Sequence, residues 1–312
     1  MSKLFSLVLI LVFISCNKKQ EIELKSTQPY ILVLGTAQDA GYPQITCQKE
    51  CCKRVYKQPD FKRMVSSIAI VDPISNESLV FDATPDFTEQ TQLLSKHLKN
   101  KNLPDGIFLT HGHIGHYTGL MYLGKEAMNA KDIPVYSMPR MQKYLTNNGP
   151  WSQLVKLNNI SLKPIQRDTT IVLNKRISIQ PIQVPHRDEF TETVGFIILN
   201  QEKKALYIPD IDKWNTWEQS IVDLIKEVDI ALVDATFFKS GEINRDMNEV
   251  PHPFVEESMK LFENLSDTDK KKVYFIHFNH TNPLLIDGSD AEKLVLAKGY
   301  HVAKQKMVIP YN

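Results

Sequence analysis

The hydrophobic pattern alternates between short apolar runs and longer amphipathic stretches. Apolar or β-branched runs bounded by turn residues predict strands at 30–34, 68–71, 79–81, 106–109, 177–184, 194–199, 205–208, 230–233 and 273–276. Apolar residues at helical spacing predict helices at 85–99, 214–227, 254–265 and 291–298, and a further one carrying Leu120, Tyr122, Leu123 and Met128. Strands outnumber the helices interspersed among them, which predicts an α/β protein with two packed sheets covered by helices.

The first 16 residues have a pattern of their own. Lys3 precedes an apolar run over residues 4–14, which is too short to span a bilayer but suits the core of a secretory signal. The following Ser15-Cys16 resembles a bacterial lipoprotein cleavage box, which implies a signal peptide over 1–16 and lipidation at Cys16. A polar tether over 17–28 and a single domain over 29–312 would follow. The alternatives are an uncleaved apolar anchor and a frayed terminal helix.

If the leader is a lipoprotein signal, the mature protein is exported and anchored by lipid in the cell envelope, on the periplasmic or surface side of a bacterial membrane. The net charge limits the classes of binding partner that the sequence predicts. Thirty-seven Lys and Arg against 36 Asp and Glu leave a formal charge of +1. With no global basic field, the chain is not expected to bind long nucleic acid, and a small-molecule substrate is predicted.

The most specific motif is Thr110-His111-Gly112-His113-Ile114-Gly115-His116, which follows an apolar strand and opens a helix. Three further residues of ligand type follow predicted strands, namely His186, Asp210 and His277. Each of these alone is more often a cap or turn residue. Together they form a set of imidazoles and one carboxylate that suits one or two zinc-like ions.

This succession of motifs resembles the metallo-β-lactamase superfamily. The resemblance implies a four-layer αββα sandwich with the metals at the rim between its sheets. It also implies that His111, His113 and His186 hold the first metal, that Asp210 bridges, and that His116 and His277 hold the second. The superfamily usually has Asp at the position of Gly115. We therefore expect one firmly held Zn²⁺ and a weaker second ion, with iron or manganese as alternatives.

Two further motifs resemble the pyrroloquinoline-quinone biosynthesis B branch of that superfamily. They are Val33-Leu34-Gly35-Thr36-Ala37 with Gly41-Tyr42-Pro43-Gln44, and His277-Phe278-Asn279-His280-Thr281-Asn282-Pro283. Relatives in this part of the superfamily carry a structural zinc held by cysteines. The resemblance implies such a site here, and its ligands would be Cys47, Cys51, Cys52 and His280.

The cysteine spacing departs from the usual Cys-x-Cys-x-x-Cys, because Lys49 stands at the middle position. Direct replacement by Cys51 is therefore an open question, and reduced thiols without metal are the alternative. After Cys16 an odd number of cysteines remains, which excludes a fully paired disulfide framework within one chain.

The expected chemistry is hydrolysis. A metal held by three His and one Asp lowers the pKa of its water to about 7, and Asp210 can orient the nucleophile. His252 is a candidate general acid or a helix cap, and Asp234 is a candidate partner of a ligand His or a turn residue. Charged residues expected at the rim are given no mechanistic role; they are Asp39, Arg187, Asp188 and Asp212.

The leading hypothesis is a metal-dependent hydrolase acting on a phosphodiester, an ester or a cyclic small molecule. The second is an iron-dependent oxidative enzyme like the quinone-biosynthesis B proteins. Export as a lipoprotein argues against it, because a cytoplasmic biosynthetic step does not require an exported protein. The third is a non-catalytic metal-binding lipoprotein.

Overall fold

The computed structural model describes residues 27–201 and 203–311. The predicted signal peptide, the lipidation site Cys16 and most of the predicted tether lie outside the described residues. Among the residues described, no helix combines the length and apolar character needed to cross a membrane.

Two seven-stranded sheets are built from the described residues. The first contains β1 (Tyr30–Gly35), β2 (Ser67–Asp72), β3 (Glu77–Phe81), β4 (Gly106–Phe108), β5 (Ile133–Ser137), β6 (Ile160–Pro164) and β14 (Val308–Pro310), in the order β14-β1-β2-β3-β4-β5-β6. The second contains β7 (Ile171–Val172), β8 (Ile177–Gln183), β9 (Val194–Asn200), β10 (Lys203–Ile208), β11 (Ile230–Asp234), β12 (Val273–Ile276) and β13 (His301–Val302), in the order β13-β12-β11-β10-β9-β8-β7.

The α-helices are short. They are α1 (Glu50–Lys57), α2 (Phe87–Leu94), α3 (Ile114–Tyr117), α4 (Pro139–Asn147), α5 (Trp151–Lys156), α6 (Ile221–Glu227), α7 (Val255–Leu261), α8 (Asp267–Lys270) and α9 (Asp290–Ala297).

The core has three apolar layers. On β1, Ile31 and Val33 point to one side and pack with Phe196 and Tyr207 of the second sheet, which forms the layer between the sheets. Leu32 and Leu34 point to the other side, because successive side chains of a strand alternate between its faces. There they pack against residues of α2, α4 and α5. Side chains of α6, α7 and α9 cover the second sheet in the same way. The predicted αββα sandwich is confirmed.

Four predicted helices are shorter than expected. The one predicted over 254–265 is α7, which ends at Leu261. Over 214–227 the chain forms a 3₁₀ turn at Trp214–Thr216, and α6 begins only after Ser220, whose hydroxyl accepts from the Asp223 amide at 3.2 Å and caps the new helix. The helix predicted over 85–99 ends at Leu94. The helix predicted after the His motif is α3 followed by 3₁₀ turns, where the Gly119 amide bonds to the Ala83 carbonyl at 2.9 Å.

Parallel strands determine where the ligand-type residues emerge. In the first sheet β3 and β4 pair in parallel with Phe81 opposite Phe108. In the second sheet β10, β11 and β12 are parallel. The carboxyl ends of parallel strands meet at one edge of a sheet. The segments that follow these strands in the two sheets therefore meet at one rim of the sandwich.

Candidate metal centre

The first group of potential ligands consists of His111, His113, His186 and Asp210, whose ligand atoms all lie within 4.8 Å of one another. The Asp210 Oδ2 atom is 3.4 Å from His111 Nε2 and 3.3 Å from His186 Nε2. His113 turns its Nδ1 atom inward, 2.8 Å from His111 Nε2. The structure thus brings together four side chains that the sequence placed at a first metal.

A second group shares Asp210 with the first. It consists of Asp39, His116, Asp210 and His277, again with ligand atoms within 4.8 Å of one another. The Asp39 Oδ1 atom lies 3.0 Å from His116 Nε2 and 3.5 Å from His277 Nε2. Asp39, to which the sequence pattern assigns no role, therefore lies beside the second position, where Gly115 offers no carboxylate.

The sequence pattern does not predict a role for Asp39, because this residue lies four residues beyond the end of β1 and 77 positions before His116. A usable signal existed in the turn Gln38-Asp39-Ala40-Gly41, which follows a buried strand just as the other ligand segments do.

Three buried polar atoms at this centre have no hydrogen-bond partner, namely His186 Nε2, His277 Nε2 and Asp210 Oδ1. Buried polar atoms are normally paired, since leaving one unpaired costs about 1–3 kcal/mol. His186 belongs to the first group and His277 to the second, and Asp210 is common to both. Divalent cations at the two positions would satisfy these atoms, so the donor set fits zinc-like ions.

Outer carboxylates fix the ring orientation of the imidazoles. Asp82, wholly buried at the end of β3, lies 2.7 Å from His116 Nδ1. Asp212, expected only at the rim, lies 3.0 Å from His186 Nδ1. Each contact holds the Nδ1 proton and leaves Nε2 facing the centre, which is the usual support of a metal-binding His.

His277 is supported through a hydroxyl. Its Nδ1 atom lies 2.9 Å from Thr236 Oγ1, and that hydroxyl donates to Asp234 Oδ1 at 2.7 Å. His277 also has a φ of 71°, a backbone conformation that non-glycine residues rarely adopt. Asp234 therefore acts as the outer carboxylate that the sequence suggested, with Thr236 as an intermediary that sequence reasoning missed.

The electrostatics favour a cation at this centre. Burial lowers the pKa of His111 well below its ordinary value, which keeps that imidazole neutral and able to bind metal. Burial alone would raise the pKa of Asp39 and of Asp210. Nearby imidazoles outweigh it and hold the pKa of both carboxyls well below the usual range. The centre thus contains two ionised carboxylates in a buried setting.

His252 is buried beside the same carboxylates. Its Nδ1 atom lies 2.9 Å from Asp234 Oδ2 and 3.1 Å from Asp210 Oδ1. Burial lowers the pKa of His252, but the two carboxylates outweigh it and raise the pKa to about 10. The alternative role as a helix cap is wrong, because Glu257 accepts the free amide of Phe254 at the start of α7.

A separate cluster joins the loop after β1 to the turn after β12. The ligand atoms of Cys47, Cys51, Cys52 and His280 lie within 4.8 Å of one another. The three thiols are free, and Cys51 Sγ lies 4.0 Å from Cys52 Sγ. Burial raises the pKa of Cys52 to about 12 and lowers that of His280. A neutral imidazole beside clustered thiols is a donor set that fits zinc, whose binding displaces thiol protons.

The other two predicted rim residues are not in either group. Asp188 is exposed and lies 3.3 Å from the Arg140 guanidinium. Arg187 is half-exposed, with its guanidinium 4.0 Å from Glu189. The sequence analysis gave neither a role, and neither side chain belongs to a ligand group of the described residues.

The family follows from a comparison of the chain with known protein families. A profile describing the β-lactamase superfamily domain matches residues 77–278. The chain belongs to the metallo-β-lactamase superfamily. The matched span contains both ligand groups except Asp39; it begins after the three cysteines of the cluster and ends before His280.

Three relatives within or near this superfamily illustrate the similarity. Coenzyme PQQ synthesis protein B of Methylobacillus flagellatus is 27% identical, with 90% of this chain and 99% of that protein covered. The crystal structure of Zn²⁺-bound PqqB from Methylobacterium extorquens is 22% identical, covers 90% of this chain and 99% of its own, and has a TM-score of 0.76. A new diphosphatase from the PhnP family is 21% identical, covers 90% and 96%, and has a TM-score of 0.64.

Proposed function

We propose that this protein is a metal-dependent hydrolase. The observation that carries the proposal is the convergence of unpartnered Nε2 atoms, from His186 and His277, on the shared carboxylate of Asp210. We assign His111, His113 and His186 to the first metal, with Asp210 between the two positions and His116 with His277 at the second. Zn²⁺ is the proposed ion, and the Zn²⁺ of the PqqB crystal structure supports that choice; iron and manganese suit the same donors.

When bound, the metal supplies a water activated at neutral pH and polarises a substrate oxygen. The chain's own groups do the rest. Asp210 orients the nucleophile from between the two positions. Because its pKa is about 10, His252 carries a proton at neutral pH. Asp234 holds His252 at Nδ1, so Nε2 is the atom that delivers a proton to the leaving group.

The proposed substrate is a phosphodiester, an ester or a cyclic small molecule. A cavity of about 250 Å³ has Asp188 and Trp217 in its wall together with His186, the one proposed ligand that lines it. The absence of a net basic charge and the likeness to a diphosphatase support the same class.

The test combines elemental analysis with turnover. Purified wild type is expected to hold zinc and to hydrolyse bis(p-nitrophenyl) phosphate or a nitrophenyl ester. In His113→Ala we expect loss of one metal equivalent and a fall in kcat/KM of at least ~100-fold, since even outer-shell changes cost ~10–100-fold. His301→Ala is the matched control, because His301 stacks on Tyr274 outside both ligand groups. Tightly held metal without turnover on a broad panel would refute hydrolysis and favour a non-catalytic metal-binding protein.

A second candidate is an oxidative step in the synthesis of a quinone-type cofactor. The similarity to coenzyme PQQ synthesis protein B along 90% of the chain favours it. Iron in the purified protein with substrate-dependent oxygen uptake would support this candidate. Zinc with hydrolytic turnover and no oxygen uptake would exclude it.

Two further assignments belong to the proposal. We assign a structural Zn²⁺ to Cys47, Cys51, Cys52 and His280, supported by their proximity. We also propose an exported protein, anchored in the cell envelope through lipid on Cys16, on the strength of the leader sequence alone.

A further inference from the structure

The position of Gly115 is the starting point. A Cβ atom added there would lie 2.5 Å from Asp39 Oδ1 and 2.6 Å from Asp39 Cα, closer than side-chain atoms approach in proteins. The Asp39 carboxylate and a side chain at position 115 therefore compete for the same space. The Asp that usually precedes the last His of this motif would displace Asp39.

Backbone hydrogen bonds to two other segments hold Asp39 in that space. The Ala37 amide donates to the Met64 carbonyl at 2.9 Å, and the Gln38 amide donates to the Phe278 carbonyl at 2.8 Å. The Gly41 amide then closes the turn on the Gln38 carbonyl at 2.7 Å, with a φ of +72° that favours glycine. Asp39 thus stands in a turn whose backbone is hydrogen-bonded to the segment before β2 and to the segment after β12.

The imidazoles beside Asp39 indicate that a metal ion binds between them. His277 is wholly buried, its Nδ1 atom is bonded to Thr236, and its Nε2 atom has no hydrogen-bond partner. That unpartnered atom faces Asp39 Oδ1 at 3.5 Å. On the other side, His116 Nε2 lies 3.0 Å from the same oxygen.

The charges of the carboxylates in this group also favour a bound cation. Asp39 and Asp210 place two carboxylates in one buried group, and buried like charges are unfavourable unless cations balance them. Two imidazoles and two carboxylates form a complete donor set for a divalent ion.

We propose that Asp39 is a ligand of the second metal position, replacing the carboxylate that Gly115 lacks, and that Gly115 is required because it leaves room for Asp39. In this chain the turn after β1, and not the helix of the His motif, provides the carboxylate. The second ion is then held by two anionic and two neutral donors, and its affinity is comparable to that of the first. The inference rests on the metal-binding part of the proposed function and not on turnover.

The experiment counts metal and measures its affinity in the full-length protein. Wild type, stripped with chelator and titrated with Zn²⁺ against a chromogenic competitor, is expected to bind two equivalents at the His-rich centre in addition to any in the cysteine cluster. Asp39→Ala is expected to bind the second of these equivalents at least ~100-fold more weakly, with the first unchanged. Asp290→Asn, a change at an exposed carboxylate on α9 outside both ligand groups, is the matched control and should bind like wild type.

A ligand exchange makes the test specific. Gly115→Asp alone is expected to lose the second equivalent, because its side chain collides with Asp39. The double variant Asp39→Gly with Gly115→Asp is expected to regain it, because the carboxylate returns to the motif and the space is free. A merely structural role for Asp39 predicts no such recovery. Near-ultraviolet circular dichroism checks that each variant is folded.

The outcomes separate the two proposals. Asp39→Ala with the second equivalent at wild-type affinity would overturn the inference, and so would a wild-type centre that holds one ion. Two ions in wild type, one in Asp39→Ala and recovery in the double variant would support it, even if no substrate were hydrolysed. Hydrolysis with unchanged metal affinity in Asp39→Ala would leave the proposed function standing without this ligand.

Discussion

Asp82→Asn changes one atom outside the ligand groups. The Asp82 carboxylate accepts from the Thr110 amide at 2.8 Å and lies 2.7 Å from His116 Nδ1. In the variant the amide oxygen keeps the Thr110 contact, which directs the amide NH₂ at Nδ1. Because NH₂ is a donor, His116 must accept there and carry its proton on Nε2. A protonated Nε2 cannot bind metal.

The size of the effect follows from the contact that is lost. A buried hydrogen bond to a charged group contributes about 1.5–3 kcal/mol. Each 1.4 kcal/mol is about tenfold in affinity. The second ion should therefore bind about 10–150-fold more weakly in Asp82→Asn, while the first ion, held by His111, His113 and His186, keeps its affinity.

The assay is competitive zinc titration with metal counting. Asp72→Asn is the matched control, since Asp72 is also wholly buried and bonds to Arg176 at 2.7 Å away from the centre. It should lower stability without changing metal affinity. The reasoning fails if Asp82→Asn binds the second ion within about threefold of wild type, or if Asp72→Asn weakens it equally.

Three other predictions concern different parts of the molecule. His252→Gln should lower kcat by ~100–10,000-fold with metal content unchanged, and a loss of metal instead would show that His252 is a ligand. Cys52→Ala should remove one zinc equivalent, lower the Tm and also weaken the second ion of the His-rich centre; retained zinc would refute a structural site. In a bacterial host, Cys16→Ala should abolish palmitate labelling and release the protein from membranes, whereas labelling that persists would exclude Cys16 as the anchor.

Periodicity was a good guide to the inner strands and a poor one to edges and helix ends. Strand β12 was predicted at its observed bounds, and β1, β9 and β11 to within a residue, because buried strands read as continuous apolar runs. Strands β13 and β14 have two and three residues, too few for a pattern. Strand β5 contains Pro134, a residue that argues against a strand interior.

The candidate centre was predictable wherever a ligand-type residue directly follows a strand. His111, Asp210 and His277 come within two or three residues of β4, β10 and β12, so the sequence places them at the rim. Asp39 and Asp212 lie in longer turns, where the side-chain direction depends on tertiary hydrogen bonds. Sequence spacing contains no information about those bonds, so it does not reveal the contact of Asp39 with His116 or of Asp212 with His186.

The cysteine cluster and the second position of the His-rich centre share two segments. The loop after β1 carries Asp39 and then Cys47, and the turn after β12 carries His277 and then His280. Reciprocal backbone bonds join these segments, from the Phe278 amide to the Thr36 carbonyl and from the Gln38 amide to the Phe278 carbonyl, both 2.8 Å. An ion at the cysteine cluster would close the far end of both segments, and so restrict the turn that presents Asp39. For that reason a metal lost from the cysteines should reduce affinity at the second position, while the first position, built from β4, β8 and β10, should not respond.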